Sequence, residues 1–240
     1  MNKLSLFVLT VLPLFFLCCV GAGNFGRTVT GNGNVIKQTR QTGPFKEIKA
    51  SAGVNVFLFQ GDEEKVVVEA DENIQDCIIT EVNGSTLSCY IDCNVRHSKK
   101  MNVFVNYKLL NSISASSGSH VSGETVIKSD QLDVNVSSGA DVKINVEAGK
   151  VYCNTSSGSN AVIEGKADSF EGDASSGSDI KASGLTAKSC NVTTSSAGEI
   201  DITVTDEIDA NASSGGDIDY AGNPKVEHIS ESSGGDVSRH

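Results

Sequence analysis

The chain has no tryptophan, only 3 prolines, and aromatic residues make up just 5 % of its 240 positions. Ring platforms for stacking against sugars are therefore scarce, and a proline-rich extended linker is excluded. Beyond the N-terminus no segment reaches 18 consecutive apolar residues, so no membrane-spanning helix is expected. Basic residues are outnumbered, 19 Lys and Arg against 30 Asp and Glu, and a net charge of −11 disfavours nucleic acid as a partner. The four histidines (His97, His120, His228, His240) fall at unrelated phases, and no Cys-x-x-Cys or His-rich spacing suggests zinc. No stretch carries a recognisable catalytic signature.

What the chain does have is one small pattern, seven times over. Ser-Ser-Gly or a close relative starts at Ser116, Ser137, Ser156, Ser175, Ser195, Ser213 and Ser232, at spacings of 21, 19, 19, 20, 18 and 19 residues. That period fits one coil of a solenoid. With the first Ser as position zero, position −3 holds Ile113, Val134, Cys153, Gly172, Val192, Ala210 and Ile229. Position +5 holds Val121, Val142, Ala161, Ile180, Ile200, Ile218 and Val237. The even offsets between the odd ones are mostly polar, which is the alternation of a strand with one buried face. A disordered Ser/Gly-rich tail would not hold apolar residues in one phase through seven copies.

A glycine occupies +2 in six copies, with Ala197 the exception, as a corner tolerant of positive φ requires. Because Gly198 follows Ala197, the corner of that coil is expected one residue later. Parity points the +1 serines (Ser117, Ser138, Ser157, Ser176, Ser196, Ser214, Ser233) inward, to stack coil on coil. The fold class read from this is all-β, a single-stranded parallel β-helix of about 19-residue coils, roughly 30 Å long over seven coils at the usual strand separation.

Residues 1–22 read as a signal peptide: Lys3, an apolar run over 4–17, then Val20-Gly21-Ala22 with cleavage after Ala22. Lipidation at Cys18 or Cys19, giving a lipid anchor, is the alternative. Loss of Lys3 with the leader takes the charge from −11 to about −12. Residues 23–42 read as a flexible tether, and 43–240 as one β-helix domain. Its part 43–110 contains an eighth copy at Ser51-Ala52-Gly53, then strands near 66–70, 77–82 and 86–91 with Asn83-Gly84 as hairpin turn, then a strand over 101–107. Residues 111–240 are the seven regular coils. Glu231, His228, Arg239 and His240 read as a polar cap on the far end, and end-to-end homo-oligomerisation is the alternative to capping.

Two features could carry chemistry. Cys77, Cys89 and Cys93 surround the hairpin, so one local disulfide is expected after export. Cys153 and Cys190 face inward two coils apart, about 9–10 Å and too far to bridge. Position +4 gathers an acidic column, Asp141, Asp179, Glu199, Asp217 and Asp236, beside Asn55, His120 and Asn160. These are the candidate binding residues. A carboxylate ladder could take Ca²⁺, whereas Asp and Asn at a turn also bond their own backbone, and the Gly-Gly-x-Gly-x-Asp pattern of calcium-binding β-rolls is absent.

Residues 43–240 resemble the auto-transporter adhesin head domain family, named for a Gly-Ile-Asn motif and common in Bacteroidetes-type bacteria. The carrying residues are Gly43-Pro44-Phe45-Lys46-Glu47-Ile48 before Gly53-Val54-Asn55-Val56, then Thr80-Glu81-Val82 with Leu87, then the serial coils. Val54 stands where the family has Ile. The resemblance implies a right-handed β-helix in an exported envelope protein of a Gram-negative bacterium, surface or outer-membrane-associated or periplasmic, with no catalytic residues to carry over. The function expected is adhesion, non-catalytic, through a repetitive polar and acidic face toward an extracellular glycan or protein. A structural or self-associating envelope scaffold is the alternative, and a polysaccharide-active β-helix enzyme a third.

Overall fold

The computed structural model describes residues 26–240; the leader at 1–22 with Cys18 and Cys19 lies outside them. The described chain opens with β1 (Thr28–Thr30), β2 (Val35–Arg40), β3 (Glu47–Ser51), β4 (Asn55–Gln60) and β5 (Lys65–Asp71). A 3-10 turn (Glu72–Cys77) leads to β6 (Ile78–Asn83), β7 (Thr86–Ile91), β8 (Asn94–His97) and β9 (Met101–Tyr107). The regular coils follow: β10 (Ser112–Ala115), β11 (His120–Gly123), β12 (Ile127–Ser137), β13 (Asp141–Ser156), β14 (Asn160–Ser175), β15 (Asp179–Ser195) and β16 (Glu199–Ser213). The last coil comprises β17 (Asp217–Gly222), β18 (Val226–Ser232) and β19 (Asp236–Arg239).

The result is an all-β solenoid of stacked parallel coils. Every Ser-Ser-Gly strand pairs in parallel with its counterpart one coil on, so Ile113 opposes Val134, Val134 opposes Cys153 and Val142 opposes Ala161. The eighth copy is real: Ile48 opposes Ile113, Ala50 opposes Ala115 and Val56 opposes Val121. The inward residues form one continuous apolar core along the axis, because no single coil could bury its row alone.

The corner departs from its sequence reading. Positions +1 and +2 are both left-handed, for example Ser117 at φ 53° and Gly118 at φ 69°. The +1 serines therefore sit out on the corner, exposed, rather than inward. In three coils the inward hydroxyl is at +3: Ser119, Ser159 and Ser178 are buried. Ser119 Oγ accepts from the Ser116 N–H at 3.1 Å and donates to the Ala50 carbonyl at 3.1 Å; Ser159 does the same with Ser156 and Val136. Nor does the corner with Ala197 shift: Ala197 itself adopts φ 59°, and the Gly198 N–H closes the turn on the Ser195 carbonyl at 3.0 Å.

Residues 28–40, read as tether, carry strands instead. β1 pairs with β8, and β2 lies antiparallel on β5. They are pinned because the buried Asp71 carboxylate accepts the Gly33 and Lys99 N–H groups, while the Arg40 guanidinium donates to the Gln75 carbonyl. The hairpin turn between β6 and β7 is Gly84-Ser85, one residue later than expected, with glycine at its first central position (φ 63°). β7 and β9 stack in parallel on β3 and β4, whereas β5 and β6 add antiparallel strands outside them. Ile74 and Ile78 close that end of the core, and the Cys77–Cys93 disulfide, Cα atoms 5.6 Å apart, fastens the closure. Cys89, Cys153 and Cys190 are free and buried, and burial pushes the Cys89 and Cys190 thiols up to about 12.

At the far end Glu231 accepts the Val237 N–H at 2.9 Å and Arg239 meets Glu227 at 3.3 Å. All seven residues of β18 are exposed, because nothing among the described residues stacks on them.

Coil lengths differ, and the differences are absorbed away from the Ser-Ser-Gly corner. Between β14 and β15 the register shifts between Val162 and Gly165; between β15 and β16 it shifts after Ala182 and again after Ala187. Gly165 holds φ 112°, and a Cβ there would run into the Val146 carbonyl. Gly158, at φ 67°, has open space, and Ala197 already occupies its equivalent. Gly158→Ala should therefore cost about 1 kcal/mol and Gly165→Ala about 3 kcal/mol, read as the difference between their urea unfolding midpoints. Equal losses would contradict this account of the two corners.

Candidate functional site

The second corner of successive coils, where the length differences fall, is concave. A groove of about 1370 Å³ runs along the axis there, from Leu109 to Thr205. Its floor is small: Ser129, Ala148, Ala167 and Ala187 follow one another in paired register. Small residues at these positions let the strand backbones approach the bottom, so the trough is continuous across coils.

The banks are charged and largely paired. Lys128 and Glu147 oppose each other across neighbouring strands and form an ion pair of 3.2 Å; Lys166 follows in the same column. On the other bank Lys188 meets Asp168 at 2.6 Å, and hydrogen bonding to that carboxylate holds the ammonium above its usual range. Such exposed pairs add little stability, but they fix an alternating pattern along the trough. At its N-terminal end Leu109, 55 % exposed, also lines a second, mainly apolar pocket of about 500 Å³ with Pro44, Phe45, Lys46, Glu64 and Lys108.

The acidic column lies on another edge. Asp141, Asn160, Asp179, Glu199, Asp217 and Asp236 are in strict register, one per coil. The next outward column, two residues on, interleaves Lys143 and Lys181 before Asp201 and Asp219, and Lys181 bridges to Asp179 at 3.5 Å. Acidity is thus concentrated in the last coils, around Glu199, Asp201, Asp217, Asp219 and Asp236. Among the described residues, no group of three or more His, Cys, Asp or Glu converges to hold a metal ion. The carboxylates stand in file instead of forming the cage that calcium takes.

Crowding has an electrostatic consequence. Partial burial, then the charges of Asp201 and Asp179, lift the Glu199 carboxyl above its usual range; burial, then Asp219, lifts Asp201.

The class of protein these features define is a parallel β-solenoid with an axial groove. This chain belongs to the family described as "Putative auto-transporter adhesin, head GIN domain", whose profile matches residues 44–224. It is similar to a crystal structure called a putative adhesin from Bacteroides fragilis, with 23 % identity and TM-score 0.82, over 88 % of this chain and 100 % of that one. A putative adhesin from Parabacteroides distasonis gives 26 % identity and TM-score 0.73, over 89 % and 100 %. A protein of the same organism called a putative lipid binding protein gives 20 % and 0.73, over 89 % and 100 %. No curated protein matches the chain.

The groove residues escaped the sequence reading because the coils were aligned forward from the preceding serines, from which the second corner has no fixed offset; counted back from the following ones, Lys128, Glu147 and Lys166 each stand nine residues before Ser137, Ser156 and Ser175. Lys128 is twelve residues after Ser116, while its partner Glu147 is ten after Ser137. Aligning the coils from both sides of the varying segment would have revealed the column.

The raised carboxyls give a sign. Their folded-state pKa lies above the unfolded one, so stability falls as pH rises through the raised values and the penalty is fully present at neutral pH. Asp201→Asn should raise the thermal midpoint at pH 7, with the gain vanishing as pH approaches about 4, near the unfolded value. A gain that is the same at both pH values would remove electrostatic crowding as its cause.

Proposed function

We propose that the chain is a non-catalytic, extracytoplasmic adhesin-type binding module that holds an elongated glycan or protein partner along the axial groove. The observation that carries this is the groove's length: one trough crosses six successive coils from Leu109 to Thr205, so many weak contacts can add within a single partner. Glu147 and Asp168 already hold lysines, which favours positioning over acid-base work. In this reading the acidic column is a solvated edge that keeps the surface soluble, and binding does not depend on calcium.

One comparison separates the surfaces. Screened against glycan and extracellular-protein arrays, Ala148→Arg with Lys166→Glu should reduce binding at least tenfold. Asp141, Asp179, Asp217 and Asp236 changed together to Asn should leave it within about twofold, as should EDTA, since an edge outside the contact contributes only long-range charge. The reverse result would transfer the site to the column. Product release from a polysaccharide panel would overturn the non-catalytic reading.

A second reading, capture of an amphiphile, is favoured by the apolar pocket beside Leu109. Pro44→Asp, which lines the pocket but not the groove, should then abolish binding of a fatty-acid probe without altering array binding. We further infer export to the cell surface. Protease added to intact cells should cleave the chain, and protection until the outer envelope is opened would place the module in the periplasm. If Cys18 or Cys19 carries a lipid anchor, changing both to Ser should release the chain from the membrane fraction.

A further inference from the structure

Leu109 and Leu110 are neighbours with opposite fates. Leu110 is fully buried in the core, whereas Leu109 is 55 % exposed. Leu109 lines both the polar groove and the mainly apolar pocket at its N-terminal end. The junction between them is braced. Gln60 Nε2 donates to the Lys108 and Lys128 carbonyls at 3.1 and 3.2 Å, and its Oε1 accepts the Lys128 N–H at 2.7 Å. The Asn111 N–H donates to the Lys46 carbonyl at 2.8 Å, tying a groove residue to a pocket wall. Pocket and groove thus hold a fixed relation, which lowers the ordering cost of binding a ligand that spans both.

We propose that the two form one continuous site for a lipid-linked glycan, with its alkyl or acyl chain in the pocket and its sugars running into the groove. The proposal rests on the groove reading above and names the partner of that same site. A free glycan would leave Leu109 and Pro44 in water, and a fatty acid would leave the polar trough unused. A single molecule that changes from apolar to polar at Leu109 matches both chambers.

A polypeptide fits the trough less well. The strands of its floor run across it, and their backbone groups are spent on neighbouring coils in parallel ladders. No free strand edge therefore lies along the trough for an added strand. What it offers instead are side chains: Asn111, Lys128, Asp130 and Gln131 present donors and acceptors suited to sugar hydroxyls close to the Leu109 end.

Isothermal titration calorimetry with alkyl maltosides, cellobiosides and lactosides, kept below their micelle concentrations, tests this. In at least one headgroup series, binding should tighten about tenfold for each pair of methylenes added to a methyl glycoside, then level off once the pocket is full. Pro44→Asp should flatten that chain-length dependence. Ala148→Arg should weaken the octyl glycoside at least tenfold and leave octanoate within about twofold. Unchanged circular dichroism would confirm that both variants fold. If array partners still bind in the groove, octyl glycosides no tighter than octanoate or the methyl glycosides would overturn the joined site alone. So would a chain-length dependence that survives Pro44→Asp. Absence of both array binding and glycoside binding would remove the groove reading and the joined site with it.

Discussion

The fold depends on a hydrogen-bonded corner handed from coil to coil. Five of the seven turns close on themselves through a backbone bond, as in the Ser119 N–H to Ser116 carbonyl bond of 3.2 Å. The corner then passes its glycine N–H to the next coil: Gly118 to Ser138, Gly139 to Ser157, Gly158 to Ser176 and Gly177 to Ser196, all at 3.1–3.2 Å. A left-handed pair of residues would otherwise leave backbone donors and acceptors stranded at a tight bend. Here the neighbouring coil satisfies them, so the corner is stable only in the stack. Stability is accordingly shared between neighbours rather than owned by any coil.

Because that corner must keep register, variation in coil length is forced to the opposite side. The register shifts near Gly165 and Ala187 and the glycines at large positive φ all fall there. Freed from a fixed length, the second corner can become concave and carry charges that differ from coil to coil. The register-keeping corner and the groove thereby separate onto two sides of one solenoid. The Ser-Ser-Gly side is uniform because it holds the stack together. The groove side varies from coil to coil.

The ends obey a different constraint. A solenoid has no intrinsic stop, and each end must cover its apolar cross-section by some other means. At one end antiparallel strands, a 3-10 turn and the Cys77–Cys93 bridge do so, and they recruit residues 28–40 through Asp71 and Arg40. At the other the last inward residues stay exposed beneath the Glu231 carboxylate.

Read alone, the sequence determined the coil period, the inward rows at −3 and +5, the eighth copy at Ser51 and the in-file acidic column. All of these follow from backbone alternation and a fixed count of residues, which are local. It misplaced the +1 serines because parity holds only for extended chain, and two consecutive left-handed residues carry the chain around the corner with its side chains outward. Likewise the strands at 28–40 were invisible: their partners in β5 and β8 lie 26 to 67 residues away, and a polar edge strand has no pattern of its own. The groove and the uncovered last coil were decided only by the tertiary structure. Concavity and exposure depend on which residues of different coils become neighbours, and that is set by where the stack absorbs its irregular lengths.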